Sequence, residues 1–434
     1  MSRIVAIVGR PNVGKSTLFN RLTEAREAIV DETSGVTRDR NYGRSVWNGV
    51  EFSVIDTGGY VENSDDIFEE EINRQVKLAI DEADLILFMT DASSGIHDLD
   101  VAVANLLRRS KKASMLIVNK ADNHERLLDA SEFYALGMGE YHAISAASGS
   151  GTGDMLDVMV KLLPAELPAP PGELPVVAVV GRPNAGKSTL INSLLGEERT
   201  IVTPVAGTTR DSIYIRYDKF NHRFLLIDTA GLRKRSRVTE NLEFYSVLRS
   251  VRAIENSDIS LLLIDANRGL ESQDMNILGL IARNNKGLIV LVNKWDLIHK
   301  ESNTAKEIEN AIKAKTAPFT DYPVLFISAT NKQRIFNILD RIKSVNENRT
   351  KRISTSELNR IVEEITKQKP PPSHKGKYVK IKYSTQLPLH YPAFALFCNL
   401  PQYVREPYRR YVENRLRERF DFCGTPIKIY FRKK

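Results

Sequence analysis

The chain has 434 residues, 42% hydrophobic and 27% charged, with a formal net charge of +8. That length accommodates about three domains with cores of their own, and the composition is that of a globular protein rather than a disordered or disulfide-stapled one. No apolar run approaches the roughly 20 residues of a membrane-spanning helix, so no membrane span is expected.

The N-terminus, Met1-Ser2-Arg3-Ile4-Val5, enters a strand at once and lacks the tripartite layout of a signal peptide. The two cysteines, Cys398 and Cys423, read as free thiols of a cytoplasmic protein. The first apolar run, Ile4–Val8, leads into Gly9-Arg-Pro-Asn-Val-Gly-Lys-Ser-Thr17. Further runs follow at Phe52–Ile55, Leu85–Met89, Met115–Val118 and Tyr141–Ile144. They lack strict polar alternation, as do strands buried on both faces. Alternating with helical stretches, they predict an α/β domain with a mainly parallel sheet and helices on both faces, over about 1–163.

The proline-rich stretch Pro164–Pro175 reads as an extended linker. Beyond it the first domain recurs. Val5-Ala-Ile-Val-Gly-Arg-Pro-Asn-Val-Gly-Lys-Ser-Thr-Leu18 returns as Val177–Leu190, and Asp56-Thr-Gly-Gly59 returns as Asp228-Thr-Ala-Gly231, both at an offset of 172. Asn119-Lys-Ala-Asp122 returns as Asn293-Lys-Trp-Asp296 at an offset of 174. Two such large copies indicate a duplicated domain, the second over about 176–345, rather than a solenoid.

Residues 352–434 read differently. Ser354-x-x-Glu357 forms a capping box ahead of Leu358, Ile361, Val362 and Ile365 at helical spacing. Pro370-Pro-Pro372, a strand over Tyr378–Tyr383 and an apolar run at Ala393–Cys398 come next. Glu406-Pro407 opens a helix carrying Tyr408, Val412, Leu416 and Phe420, and Ile427–Phe431 closes as a strand. The order α-β-β-α-β predicts a small α+β domain. It holds 18 Lys and Arg against 7 Asp and Glu, an excess of +11, which leaves the rest of the chain at −3.

Each Gly-x-x-x-x-Gly-Lys-Ser, from Gly9 and from Gly181, follows a strand and precedes a helix, the setting of a phosphate-binding P-loop. The glycines, with Asn12-Val13-Gly14 and Asn184-Ala185-Gly186, let backbone N–H groups face phosphate oxygens. Lys15 and Lys187 are expected at the β- and γ-phosphates, with Thr17 and Thr189 beside them. Ser16 and Ser188, Asp56 and Asp228, and Thr37 and Thr209 in Gly-x-Thr-Arg-Asp are the expected Mg²⁺ ligands. Gly59 and Gly231 offer amides to the γ-phosphate. The base is chosen by Asn119, Lys120 and Asp122, and by Asn293, Lys294 and Asp296. Each aspartate accepts from guanine N1–H and the 2-amino group, and adenine would leave that carboxylate unpaired. Ser145-Ala146 and Ser328-Ala329 back the guanine ring. Tyr60 and Leu232 stand where many GTPases place a glutamine that orients water, so slow unstimulated hydrolysis is expected.

The Gly-Arg-Pro-Asn-x-Gly-Lys-Ser-Thr loops resemble the TrmE–Era–EngA branch of GTPases. Their tandem arrangement, followed by Pro370-Pro-Pro-Ser-His-Lys-Gly376 and Tyr411-Val-Glu-Asn-Arg-Leu-Arg-Glu-Arg-Phe420, resembles the EngA family over essentially the whole chain. The resemblance implies a GTPase that assists maturation of the large (50S) ribosomal subunit, with ribosomal RNA as partner, and a KH-like C-terminal domain. Gly376 and Gly424 are the only glycines after Arg352, so the GXXG clamp of RNA-binding KH domains is missing. The resemblance also implies K⁺ binding by Asn12 and Asn184, which would offset transition-state charge.

Lys375, Lys377, Lys380, Lys382, Arg409 and Arg410, interleaved with tyrosines, are the candidate RNA contacts; a solvated basic face is the plainer reading. A monomer is expected. A nucleotide-gated scaffold, a tRNA-modification GTPase and a small-molecule kinase are the competing readings; the lack of a cofactor domain or catalytic cysteine motif counts against the second, and Asn-Lys-x-Asp counts against the third.

Overall fold

The computed structural model describes all residues except 1–2, 28–41, 58–71, 73–75, 78, 82, 165–173, 197–213, 228–242, 300, 302, 374–375, 377 and 434. The first sheet comprises β1 (Arg3–Val8), β2 (Tyr42–Trp47), β3 (Val50–Asp56), β4 (Leu85–Asp91), β5 (Ser114–Asn119) and β6 (Tyr141–Ala143). Their order is β2-β3-β1-β4-β5-β6, with β2 and β3 the antiparallel pair. The second comprises β7 (Val176–Gly181), β8 (Tyr214–Lys219), β9 (His222–Ile227), β10 (Ile259–Asp265), β11 (Gly287–Asn293) and β12 (Val324–Phe326). Read from β8, its order is β8-β9-β7-β10-β11-β12, the same permutation. The sequence repeat is therefore a repeat of topology: two tandem P-loop domains.

Both faces of each sheet are covered, which is why the central strands carry no polar alternation. Val5, Ile7, Leu85, Leu87 and Ile117 join Leu18, Phe19 and Leu22 of the helix Lys15–Glu27 and Met155 and Met159 of the helix Thr152–Leu162 in one core. The alternate residues Ile4, Ala6, Val8, Ile86 and Phe88 point the other way and are equally buried. The edge strands differ. β2 is half-buried and mixed in polarity, and joins β3 through Asn48-Gly49, both at positive φ (47° and 79°), as a tight hairpin turn requires.

The C-terminal domain follows the predicted α-β-β-α-β order. β13 (Ile381–Gln386) lies antiparallel to β14 (Ala393–Cys398), which lies parallel to β15 (Lys428–Lys433). The helices Thr355–Gln368 and Glu406–Arg419 supply Leu358, Ile361, Val362, Ile365, Tyr408, Val412 and Leu416 to the core above that sheet. Ser354 caps the first of them, its hydroxyl accepting from Glu357 N–H at 3.3 Å. The expected strand Tyr378–Tyr383 is displaced to Ile381–Gln386. The Asn399 side chain accepts from Lys380 N–H (2.8 Å) and donates to the Tyr378 carbonyl (3.0 Å), taking the place of a strand partner there.

The chain divides into two compact units, one holding the first sheet and the other holding the second and third. Within the latter, the C-terminal domain docks on the second P-loop domain through the loop at Gly424. Leu288 N–H donates to the Gly424 carbonyl (2.7 Å), and Gly424 N–H donates to the Asp321 carbonyl (2.8 Å). Val345, on the helix Asn337–Thr350, fills the space a side chain would need at Gly424 or Gly287. Arg417 is spent on this joint, donating to Asp321 (2.8 Å) and to the Thr425 carbonyl (3.0 Å). Among the described residues no helix is long and apolar enough to cross a membrane.

Candidate functional site

Each P-loop leaves the carboxyl end of the central strand of its sheet. Gly9 and Gly181 pass so close to the Met89 and Leu263 carbonyls, at the ends of β4 and β10, that a side chain would collide there. Asn12 and Asn184 sit at φ 63° and 61°, and Gly14 and Gly186 at 98° and 99°. Asparagine and glycine tolerate this left-handed backbone best.

The loop lysines fold back over their own loops. Lys15 Nζ donates to the Gly9 and Arg10 carbonyls (2.9 and 2.8 Å), and Lys187 Nζ to the Gly181 and Arg182 carbonyls (2.8 and 2.6 Å). Burial lowers the Lys15 pKa, the Asp56 carboxylate opposes this and Arg10 reinforces it. Burial brings the Lys187 ammonium down to about 8 against the counteracting charge of Asp274. Each is a desolvated cation on a loop that suits a polyanion.

Asp56 ends β3 fully buried, and its carboxylate accepts from the Ser16 hydroxyl at 2.6 Å. Thr57 anchors the following turn by donating to the Ile7 carbonyl (2.8 Å). The first loop thus faces a hydroxyl and a carboxylate that converge on one point.

The carboxyl ends of β5 and β11 are tied to the P-loops. Asn119 Nδ2 donates to the Val13 carbonyl (2.7 Å), and its Oδ1 accepts from Ala146 N–H (2.8 Å). Asn293 repeats this with Ala185 (2.8 Å) and Ala329 (3.0 Å). Lys120 and Lys294 take left-handed backbone (φ 64° and 61°) and pair with Asp91 (2.5 Å) and Asp265 (2.6 Å). Burial raises the Asp91 and Asp265 pKa values, but hydrogen bonds from Lys120 with Ser93, and from Lys294 with Asn267, outweigh it and hold both below the usual carboxylate range. Asp122 is half exposed and accepts from Arg126 at 2.6 Å; Asp296 is exposed in a short 3₁₀ turn. Ser145 and Ser328 are buried, and their hydroxyls accept from Ser148 N–H and Asn331 N–H (3.3 and 3.2 Å), shaping the final turn.

A family model described as "50S ribosome-binding GTPase" matches residues 4–120 and 176–294, and one described as "KH-domain-like of EngA bacterial GTPase enzymes, C-terminal" matches 352–432. A protein of Christiangramia forsetii named "GTPase Der" is 59% identical over 434 residues, covering 100% of both chains. The chain belongs to the Der (EngA) GTPase family. A "GTPase Der" of Porphyromonas gingivalis is 58% identical over 437 residues, again covering 100% of both chains. The solved structure of Era with MgGDPNP and nucleotides 1506–1542 of 16S ribosomal RNA is 23% identical, covers 60% of this chain and 94% of its own, and has a TM-score of 0.31. Like its Der relatives, the chain is a GTPase that binds guanine nucleotide and hydrolyses GTP.

In this Der-family chain, the structure brings Lys15, Ser16 and Asp56 together, and joins Asn119 to the P-loop and to Ala146. Thr17, Ser188 and Thr189 are exposed in the first turns of the loop helices. Thr37, Gly59, Tyr60, Thr209, Asp228, Gly231 and Leu232 lie outside the described residues, as do Lys375 and Lys377. Lys380 and Lys382 are exposed at the start of β13, Arg410 pairs with Glu406 (3.3 Å), and Arg409 lies over the Phe431 ring (5.8 Å).

Sequence reading missed a second duplicated constellation. Arg10 pairs with Asp100 (3.2 Å) and Arg182 with Asp274 (2.8 Å). Both aspartates are fully buried in the first turn of the helix that follows β4 or β10. Asp91 and Asp265 were missed likewise. The signal lay in the repeat, since Asp91 to Asp265, Asp100 to Asp274 and Asn119 to Asn293 share one offset of 174.

Proposed function

We propose that the two pockets switch the chain's attachment to the large ribosomal subunit, assisting maturation of that subunit in the cytoplasm. The observation that carries this reading is the coexistence, in one chain of the Der family, of two pockets of one design and a KH-like domain with an excess charge of +11 docked on the second. A surface of that sign suits the phosphates of ribosomal RNA, and the matching family model is itself described as ribosome-binding.

In this reading Gly9, Asn12, Val13, Gly14, Lys15, Ser16, Thr17 and Gly59 hold phosphates in the first pocket. Gly181, Asn184, Ala185, Gly186, Lys187, Ser188, Thr189 and Gly231 do so in the second. Asn119, Lys120, Asp122, Ser145 and Ala146, with Asn293, Lys294, Asp296, Ser328 and Ala329, hold guanine. The Ser16 hydroxyl and the Asp56 carboxylate, 2.6 Å apart, are the hard oxygen donors that Mg²⁺ prefers. Ser16, Thr37 and Asp56, and Ser188, Thr209 and Asp228, would hold that ion, which supplies charge neutralisation at the phosphates. Asn12 and Asn184, both exposed on their loops, would offer carboxamide oxygens to a K⁺ ion that adds to this charge neutralisation. Lys380, Lys382, Arg409 and Arg410, with Lys375 and Lys377, contribute to RNA binding.

Co-sedimentation with ribosomal subunits tests the reading. The chain pellets with large subunits under a non-hydrolysable GTP analogue and is released under GDP. Equal recovery under both nucleotides, or none with large subunits, would overturn it.

A further inference from the structure

We propose that Arg10 with Asp100, and Arg182 with Asp274, are positioning pairs that hold the P-loop lysines for GTP hydrolysis. The proposal rests on the reading of Lys15 and Lys187 as phosphate ligands. The lysine ammonium of each loop is held by two carbonyls, and one of them belongs to the arginine. The direction of that carbonyl depends on where the arginine side chain is tied.

The tie has little freedom. Arg182 is 8% exposed and its Nε lies 2.8 Å from Asp274 Oδ2; it also reaches Glu271 and donates to the Gly269 carbonyl (3.1 Å). Arg10 is 14% exposed, 3.2 Å from Asp100 Oδ2, and also donates to Ser94. The two aspartates are themselves fixed, since the same oxygen accepts the backbone N–H of the residue before the helix, His97 or Glu271, at 3.1 Å in each case. The chain of contacts therefore runs from the helix start, through a buried ion pair, to the carbonyl that aims the lysine. It is built twice, and more heavily in the second domain. A carboxylate buried at 0% exposure without such a partner would be costly, so the pair moves as one piece.

A lysine whose cradle is mis-aimed still meets a bound nucleotide but supports the transition state less well. Turnover should then fall more than affinity. The test uses full-length protein carrying Lys15→Ala, so that only the second site turns over. Arg182→Gln is expected to lower kcat at least ~10-fold while GTP KM and GDP Kd change less than ~3-fold, and Arg182→Lys is expected to recover part of kcat. If Arg182→Gln does not yield folded protein, the isosteric Asp274→Asn replaces it with the same expectation. A kcat within ~2-fold of the parent, or parallel losses in kcat, affinity and thermal stability, would overturn the proposal. Lys187→Ala is measured alongside. If it leaves turnover intact, the underlying lysine reading fails and the pair falls with it; if it abolishes turnover while Arg182→Gln does not lower it, the positioning role alone fails.

Discussion

Asn293 donates its side-chain amide to the Ala185 carbonyl at 2.8 Å, so the carboxyl end of β11 and the second P-loop form one hydrogen-bonded piece. The other end of the same amide group accepts from Ala329 N–H at 3.0 Å, and all three residues are buried. Asn293→Ala leaves a carbonyl and an N–H without partners, each costing about 1–3 kcal/mol. Nucleotide affinity of the second site should fall by roughly 10- to 100-fold. Equilibrium binding of a fluorescent GDP analogue in a Lys15→Ala background measures it, and Asn119→Ala in a Lys187→Ala background should behave alike.

Gly424 is expected to be intolerant for a reason unrelated to RNA clamping. Its φ is +80°, and a Cβ would lie 2.5 Å from Val345 Cγ2 and 3.1 Å from the Leu288 carbonyl oxygen. Gly424→Ala should cost the second unit about 1–3 kcal/mol. Adding Val345→Ala should return part of the steric share but not the backbone share, so a double-mutant cycle in urea should give a non-zero coupling.

The half-buried Lys187 makes stability depend on pH in the nucleotide-free protein. Its ammonium titrates at about 8 in the folded chain and at 10.5 when free of the fold. Between those values the unfolded chain binds the extra proton, so stability rises with pH through this window. The rise is at most about 3 kcal/mol. Urea midpoints at pH 7.5 and 9.5 should separate more in the parent than in Lys187→Met, and equal separations would contradict the assignment.

Exchanging K⁺ for Na⁺ should slow turnover several-fold in the parent. Asn12→Ala and Asn184→Ala should each remove that dependence from its own site. Steady-state phosphate release in the two salts checks this, and equal rates in the parent would rule the ion out.

Binding to ribosomal RNA should weaken steeply with salt. Replacing Lys380 and Lys382 by alanine should flatten the log–log slope by roughly 1.5, about 0.7–0.9 for each phosphate that is no longer neutralised. An unchanged slope would place the RNA surface elsewhere.

The family was legible where its motifs were written twice: Gly9–Thr17 and Gly181–Thr189, Asn119–Asp122 and Asn293–Asp296. The central strands were legible because burial on both faces makes them continuous apolar runs. β2 was not, because an edge strand mixes Tyr42 and Val46 with Arg44 and Ser45, and its Asn48-Gly49 turn passed unread. The Arg10–Asp100 pair joins residues 90 positions apart, and no local pattern reports it. Gly424 was read only for the clamp it does not form, because the role of a docking glycine depends on Val345 and Leu288 in another domain. Arg417 is one of the 18 basic residues that give 352–434 its excess charge, and at 12% exposure it belongs to the joint with Asp321 rather than to a surface.

The central claim, two guanine-nucleotide pockets in one chain, is tested most directly by binding stoichiometry at saturation with ATP as competitor. Two GDP per chain are predicted, falling to one in either Lys15→Ala or Lys187→Ala, with no displacement by excess ATP. One nucleotide per chain in the parent, or displacement by ATP as readily as by GTP, would contradict it.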